Sequence, residues 1–187
     1  MKCYKFTDRN DKTYGGCRWG EGITHEADGN GDLCSEHWIH AYTDPLLAVV
    51  MNPIHGGYGK DKHLWKCKAE IGRDGDGLKF GTTKLTTIKR VPIPRISKAA
   101  KIHFGIYCAL EVYHEKSFVR WAEDWLSGKD RSYAAAHAAA DAADAAYVAA
   151  YAAADAAHAA AYAAHVADID LITLLKRAIK DEKRGTR

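Results

Sequence analysis

The chain has 187 residues and a formal net charge of +3, enough for one ordinary domain or a smaller domain with an appendage. Its charge divides as 21 basic against 17 acidic side chains over residues 1–132 and 6 against 7 over 133–187. Neither part has the Lys/Arg excess that a phosphate backbone attracts, which argues against nucleic acid as a partner. The five cysteines form no CxxC pair and follow no regular spacing, a pattern that suits a reduced, cytoplasmic protein better than a disulfide scaffold.

The opening "MKCYKFTDRNDK" has no apolar run of the kind a secretory signal needs. Lys2 to Phe6 alternates polar and apolar residues before a cluster of turn formers, and so predicts a first strand. "GITHEA" (Gly22 to Ala27) predicts a second, closed by "DGNGD". Thr43-Asp44-Pro45 is a helix start, with a capping side chain before Pro at the first helical position, and Pro53 is the expected stop after Asn52. "HGGYGKDK" (His55 to Lys62) is then a loop.

"HLWKCKAEIG" predicts another strand and "LKFGTTKLTTIKRV" a strand pair, with "RDGDG" between them as a hairpin turn. Ile102, Ile106, Leu110 and Tyr113 fall at helical spacing after a Ser97 cap. A further helix is expected from Ser117 to Gly128, with Phe118, Trp121 and Trp125 on one face. The expected fold class is α+β: a small, mostly antiparallel sheet domain with two helices over 1–132. A long Ala-rich helix and a short C-terminal amphipathic helix follow over 133–187.

The stretch from Tyr133 to Ala167 holds 23 alanines among 35 residues. From His137 its interruptions advance in alternating steps of four and three, a heptad seam that confines them to a stripe about 120° wide on an ideal helix. Alanine has the best helix propensity and lets helix backbones approach closely. A helix of that length runs about 52 Å, whereas the preceding domain has a radius of gyration of roughly 14 Å. Self-association through the alanine faces resolves the mismatch, so a homo-oligomer is expected.

Asp141, Asp144 and Asp155 would each cost about 2.5–3.5 kcal/mol at a bilayer centre, so no membrane span is expected. Asp168 and Asp170 are the expected caps of a short last helix that docks Ile169, Ile172, Leu175 and Ile179 on a core, the alternative being a helix continuous with the alanine tract, since the seam runs through in register. The stripe carries Tyr133, His137, Asp141, Tyr151, His158 and Tyr162 as an interaction surface or a solvated face. His137 with Asp141, and Asp155 with His158, have metal-ligand spacing but no convergent third ligand.

In the first domain His25, Cys34, His37, His40 and His55 are the densest chemical cluster, at spacings that match no common zinc pattern. No metal or other cofactor is expected. "HGGYGK" has the glycines and lysine of an anion loop without the full phosphate-loop pattern. No nucleophile–base pair or paired carboxylates can be read from spacing. The candidate ligand-binding residues are Arg18, Trp19, His25, His40, Tyr42, Asn52 and His55, a mix of aromatic, cationic and amide groups in or beside glycine-rich loops.

"YGGCRWGEGITHEA", "LCSEHWIHAYTDPLLAVVMNPIH", "GLKFGTTKLTTIKRVPIP" and "FVRWAEDWLSGKDRS" followed by an alanine tract resemble a family of bacteriophage and bacterial proteins of no known activity. There the same domain precedes Ala-rich helices. The resemblance implies a phage-type accessory protein working in the host cytosol, in counter-defence or host takeover. Its partner would be a host protein or a small nucleotide-like molecule. The string around Cys34 and Trp38 to Ala41 is similar to that of small phage domains with an ADP-ribosyltransferase-like outline. That likeness implies the alternative of an enzyme acting on NAD or another nucleotide, with His25, His40 and His55 as candidates. The tract after "WLSGKDRS" is also similar to the helical arrays of bacterial immunity proteins, which act by binding. Ice binding is disfavoured, because the stripe lacks regularly spaced threonines.

Overall fold

The computed structural model describes residues 1–75, 79–132 and 170–185, and over them the chain is α+β. In order come β1 (Lys2–Thr7), β2 (Thr24–Glu26), β3 (Ile39–Ala41), α1 (Pro45–His55), β4 (His63–Ala69), β5 (Arg73–Gly75), β6 (Lys79–Thr82) and β7 (Lys84–Val91). They are followed by α2 (Lys98–Val112), α3 (Lys116–Ser127) and α4 (Leu171–Gly185). The chain groups into two compact units, Met1–Arg95 and Ile96–Arg187. This division falls before α2, upstream of the change in composition after residue 132. The alanine tract lies outside the described residues.

In the first unit a four-stranded sheet of order β1-β4-β7-β2 and a three-stranded sheet of order β3-β6-β5 are antiparallel throughout. Two of the links between them are a backbone bridge and a one-residue connection. Tyr4 and Tyr42 exchange backbone hydrogen bonds of 2.8 and 2.9 Å, tying β1 to the end of β3, and β6 runs into β7 through Thr83 alone. The rolled sheet encloses a core of Cys3, Trp19, Ala41, Trp65, Cys67, Ala69, Phe80 and Leu85. Fully burying an aromatic or large aliphatic side chain of this kind contributes about 1.5–3 kcal/mol. Strand alternation puts Cys3, Lys5 and Thr7 on the core side of β1, opposite Cys67, Trp65 and His63 of β4.

The expected hairpin across "RDGDG" is corrected. β4 pairs with β1 and β7, while Arg73–Gly75 is itself a strand paired with β6. Residues 64, 65, 67 and 69 of β4 are all buried, so this strand needs a neighbour on each side, and long-range partners supply them.

Helix α1 starts as expected, with Asp44 accepting a 2.8 Å bond from the Leu46 amide and Pro45 in the first turn. It continues past Pro53 to His55 instead of stopping at Asn52. Its end is made by Gly56 and Gly57, whose N–H groups both donate to the Asn52 carbonyl at 3.0 and 2.6 Å. Packed against β1, α1 buries Leu47, Ala48 and Met51.

In the second unit Ser97 caps α2 through the Ala100 amide at 2.9 Å. The cap of α3 is Glu115 instead of Ser117: the helix begins at Lys116, so Ser117 lies inside its first turn, and the Glu115 carboxylate accepts from the Ser117 and Phe118 amides at 2.8 and 3.1 Å. Gly128 ends α3 with φ 79°, a left-handed position that favours glycine. Phe118 packs with Trp121 and Trp125 as expected. Asp170 caps α4, accepting from the Thr173 amide at 3.0 Å. This helix buries Leu174, Leu175 and Ala178, while Ile172 and Ile179 are half-buried at the margin and residues 168 and 169 lie outside the described residues.

Candidate functional site

Four of the seven nominated pocket residues gather where α1 meets the end of β3. The Tyr42 hydroxyl lies 3.3 Å from His55 Nδ1, and the two rings stack at 6.1 Å with 13° between their planes. Asn52 sits one helical turn before His55. Its amide donates to the Tyr58 carbonyl at 3.0 Å, while its Oδ1, buried in a side chain only 7% exposed, finds no hydrogen-bond partner among the described residues. A Cβ on Gly56 would lie 2.7 Å from the Tyr58 ring, so only glycine lets the loop fold the tyrosine over Asn52. His40 on β3 holds the Leu33 carbonyl with its Nε2.

Pairing of Ala41 with Phe80 brings Lys79 opposite Tyr42 one step further along the strands. The Lys79 ammonium donates to Cys34 Sγ at 3.2 Å. Burial, with this ammonium nearby, lowers the pKa of both His40 and His55 below the usual histidine value. Burial, reinforced by Tyr58, raises that of the Tyr42 phenol. Tyr42 therefore stays a neutral donor, and both imidazoles favour the neutral form. Among the described side chains no carboxylate pairs with Lys79, His40 or His55. The arrangement offers a cation, two imidazoles, a stacking surface and an unused acceptor.

The other three nominated residues stand apart from this cluster. Trp19, nominated as a ligand-binding residue, is only 3% exposed and belongs to the core. Its indole N–H donates to Thr13 Oγ1 at 3.0 Å, and its ring meets that of His25 edge-on at 4.5 Å. His25 Nε2 lies 2.7 Å from the Arg18 carbonyl, so Arg18 contributes its backbone there. The cause is the fold of residues 8–19. The Asp11 carboxylate accepts from His63 Nδ1 at 2.7 Å, Trp65 Nε1 at 3.1 Å, and Arg90, while its carbonyl holds the Trp19 amide at 2.7 Å. The loop is thereby fastened over the sheet with Trp19 inward.

The sequence reading missed Lys5, Tyr58 and Lys79. Lys5 is almost fully buried; its Nζ donates to the His40 carbonyl at 2.9 Å and lies 5.1 Å from the centre of the Trp19 ring. The alternation of "KCYKFT" was an available signal, since it puts Lys5 on the same face as Cys3. Tyr58 lay in view within "HGGYGK", whereas nothing local marks Lys79. His37 pairs with Asp28 at 2.8 Å on the surface, and no group of three metal-ligating side chains occurs among the described residues. The stripe of Tyr133, His137, Asp141, Tyr151, His158 and Tyr162 lies outside the described residues.

Fold and site define an α+β protein with a small, cationic, partly buried polar cluster. No helix among the described residues is long and apolar enough to cross a membrane. No protein-family model matches the chain, and neither the curated proteins nor the solved structures give a match.

Proposed function

We propose that this protein is a non-enzymatic binding protein whose ligand is a small nucleotide-like anion, held by Lys79, His40 and His55 with Asn52 and Tyr42 beside them. The observation that carries the reading is the Lys79 ammonium set beside two histidines of lowered pKa with no carboxylate partner among the described side chains. A phosphate supplies the missing negative charge. The outer face of His55 suits stacking against a base. The resemblance to phage accessory proteins supports a role in counter-defence, and the alanine tract supports assembly into an oligomer, tested by solution mass.

The experiment is to incubate the full chain with a panel of nucleotides, measure binding by calorimetry, then denature the protein and identify what is released. Intact ligand is expected. Lys79→Ala should weaken binding about tenfold or more, roughly 1.4 kcal/mol at least, with the fold unchanged by circular dichroism. Altered ligand would mean catalysis. Failure of every nucleotide and of inorganic phosphate to bind would overturn the small-anion reading and leave a protein partner as the target.

A further inference from the structure

A second chemistry lies on the core side of β1. Cys3 and Cys67 are directly opposed in the β1–β4 register, and both are fully buried. Two positions back, the Met1 and Ala69 backbones pair, and Tyr4 turns its amide and carbonyl outward to Tyr42. Cys3 and Cys67 therefore occupy a hydrogen-bonded site of the ladder, where opposed Cα atoms are about 5.5 Å apart. That spacing lies inside the range of about 4.4–6.8 Å that a disulfide spans. The register sets the two thiols side by side, and this contact lowers the pKa of Cys3 and raises that of Cys67, while Cys67 Sγ donates to the Trp65 carbonyl at 3.5 Å. Lys5, two residues along on the same face, adds a positive charge that favours the Cys3 thiolate.

We infer that Cys3 and Cys67 are a redox-active pair that closes to a disulfide when a small peroxide enters the core. Cys3 is the attacking sulfur. Its thiolate displaces hydroxide from hydrogen peroxide: an S–O bond forms, the O–O bond breaks, Cys3 becomes a sulfenic acid, and the hydroxide combines with the proton the Cys3 thiol gave up to form the first water. Cys67 Sγ then attacks that sulfur, the S–S bond forms and the S–O bond breaks. The departing hydroxide takes the Cys67 proton as water. In sum, two thiols and one peroxide give one disulfide and two waters, the thiols being oxidised and the peroxide reduced. The product staples β1 to β4, the strand pair that carries Lys5 toward His40. Cys17 and Cys108 are half-buried and Cys34 is exposed; none of the three stands opposite another cysteine in the strand register.

The test uses the full chain in its folded state. It is treated with millimolar hydrogen peroxide, quenched with catalase, alkylated under denaturing conditions, digested without reductant and mapped by mass spectrometry. A Cys3–Cys67 linked peptide is expected, lighter than the sum of its parts by the two hydrogens lost and abolished by dithiothreitol. The oxidised protein should keep its circular dichroism and melt at a higher temperature. The same treatment in strong urea should give mixed pairings. Recovery of Cys3 and Cys67 as alkylated thiols from the folded, peroxide-treated chain would overturn the inference. So would pairing through Cys17, Cys34 or Cys108, over-oxidation of either thiol in place of linkage, or equal selectivity in the unfolded chain.

Discussion

Replacing Lys5 by Met should stabilise the protein at neutral pH, because Lys5 is a buried ammonium whose charge the fold pays to keep. Burial pushes its pKa down from 10.5 to about 8, against the opposing pull of Cys67, Cys17 and Cys3. The difference of about 2.5 units, at 1.36 kcal/mol each, is about 3 kcal/mol of destabilisation carried by the charged form at pH 7. Methionine has a similar shape and no charge, but it forfeits the bond to the His40 carbonyl, about 1 kcal/mol. The net expectation is that Lys5→Met is about 2 kcal/mol more stable at pH 7. The sign with pH follows from linkage: between pH 8 and 10.5 the unfolded chain holds the Lys5 proton and the folded chain does not, so wild-type stability gains on the variant through this window and the advantage disappears. The comparison must be a difference between the two proteins, because Cys67 and Cys108, whose pKa values are raised, lose stability over the same range. Urea denaturation followed by tryptophan fluorescence from pH 6.5 to 10.5 measures it. A variant no more stable at pH 7, or a difference that does not change with pH, would refute the account.

Asp11→Ala should cost about 3 kcal/mol, since it leaves the buried Trp65 N–H without an acceptor and removes a charge-assisted bond from His63, while the Arg90 contact, half exposed, adds little. Asp11→Gly should cost about 1 kcal/mol less than Ala because Asp11 has φ 58°, and urea melts with unchanged slope would rank the two. Burial alone would raise the Asp11 pKa, but the bonds from Arg90 and His63 outweigh it and hold the carboxyl below 3.8; its contribution is therefore complete above about pH 4 and lost on acidification through the lower folded value. His40, lowered from 6.5 mainly by burial, contributes stability that is complete above that pH and lost as pH falls through its folded value; His40→Asn should make the stability profile below pH 6.5 less steep, leaving the slope due to His55 and His103, whose pKa values burial also lowers, as followed by thermal melts. Gly81→Ala would put a Cβ 2.7 Å from Leu33 and 2.9 Å from the Trp38 ring, an overpacking worth about 1–3 kcal/mol in denaturant melts.

The elements set by local chemistry were legible in the sequence. Asp44-Pro45, Ser97 and Gly128 each mark a helix boundary through the conformational preference of one or two residues, and alternation marks β1 and β4. Long-range pairing left no such mark. β5 is three residues long and exists because β6 is there to receive it, so "RDGDG" taken alone has only turn chemistry. Trp19 in a glycine-rich loop has the composition of a ligand platform. Its burial depends on the Asp11 carboxylate meeting His63, Trp65 and Arg90, residues more than fifty positions away.

The candidate site divides along the same physical line. Asn52 and His55 share one face of α1, so their proximity follows from helical spacing alone. Tyr42 joins them because the chain reverses from β3 into α1 at Asp44, again a local feature. The charge that gives the cluster its chemistry comes from Lys79 and the charge beneath it from Lys5, and both arrive by register: β6 against β3, and β1 against β3 through Tyr4 and Tyr42. A one-residue slip in either pairing would turn the lysine to the opposite face. The histidines and the amide could be nominated from the chain, whereas the cations on which the anion proposal rests required the sheet to be assembled first.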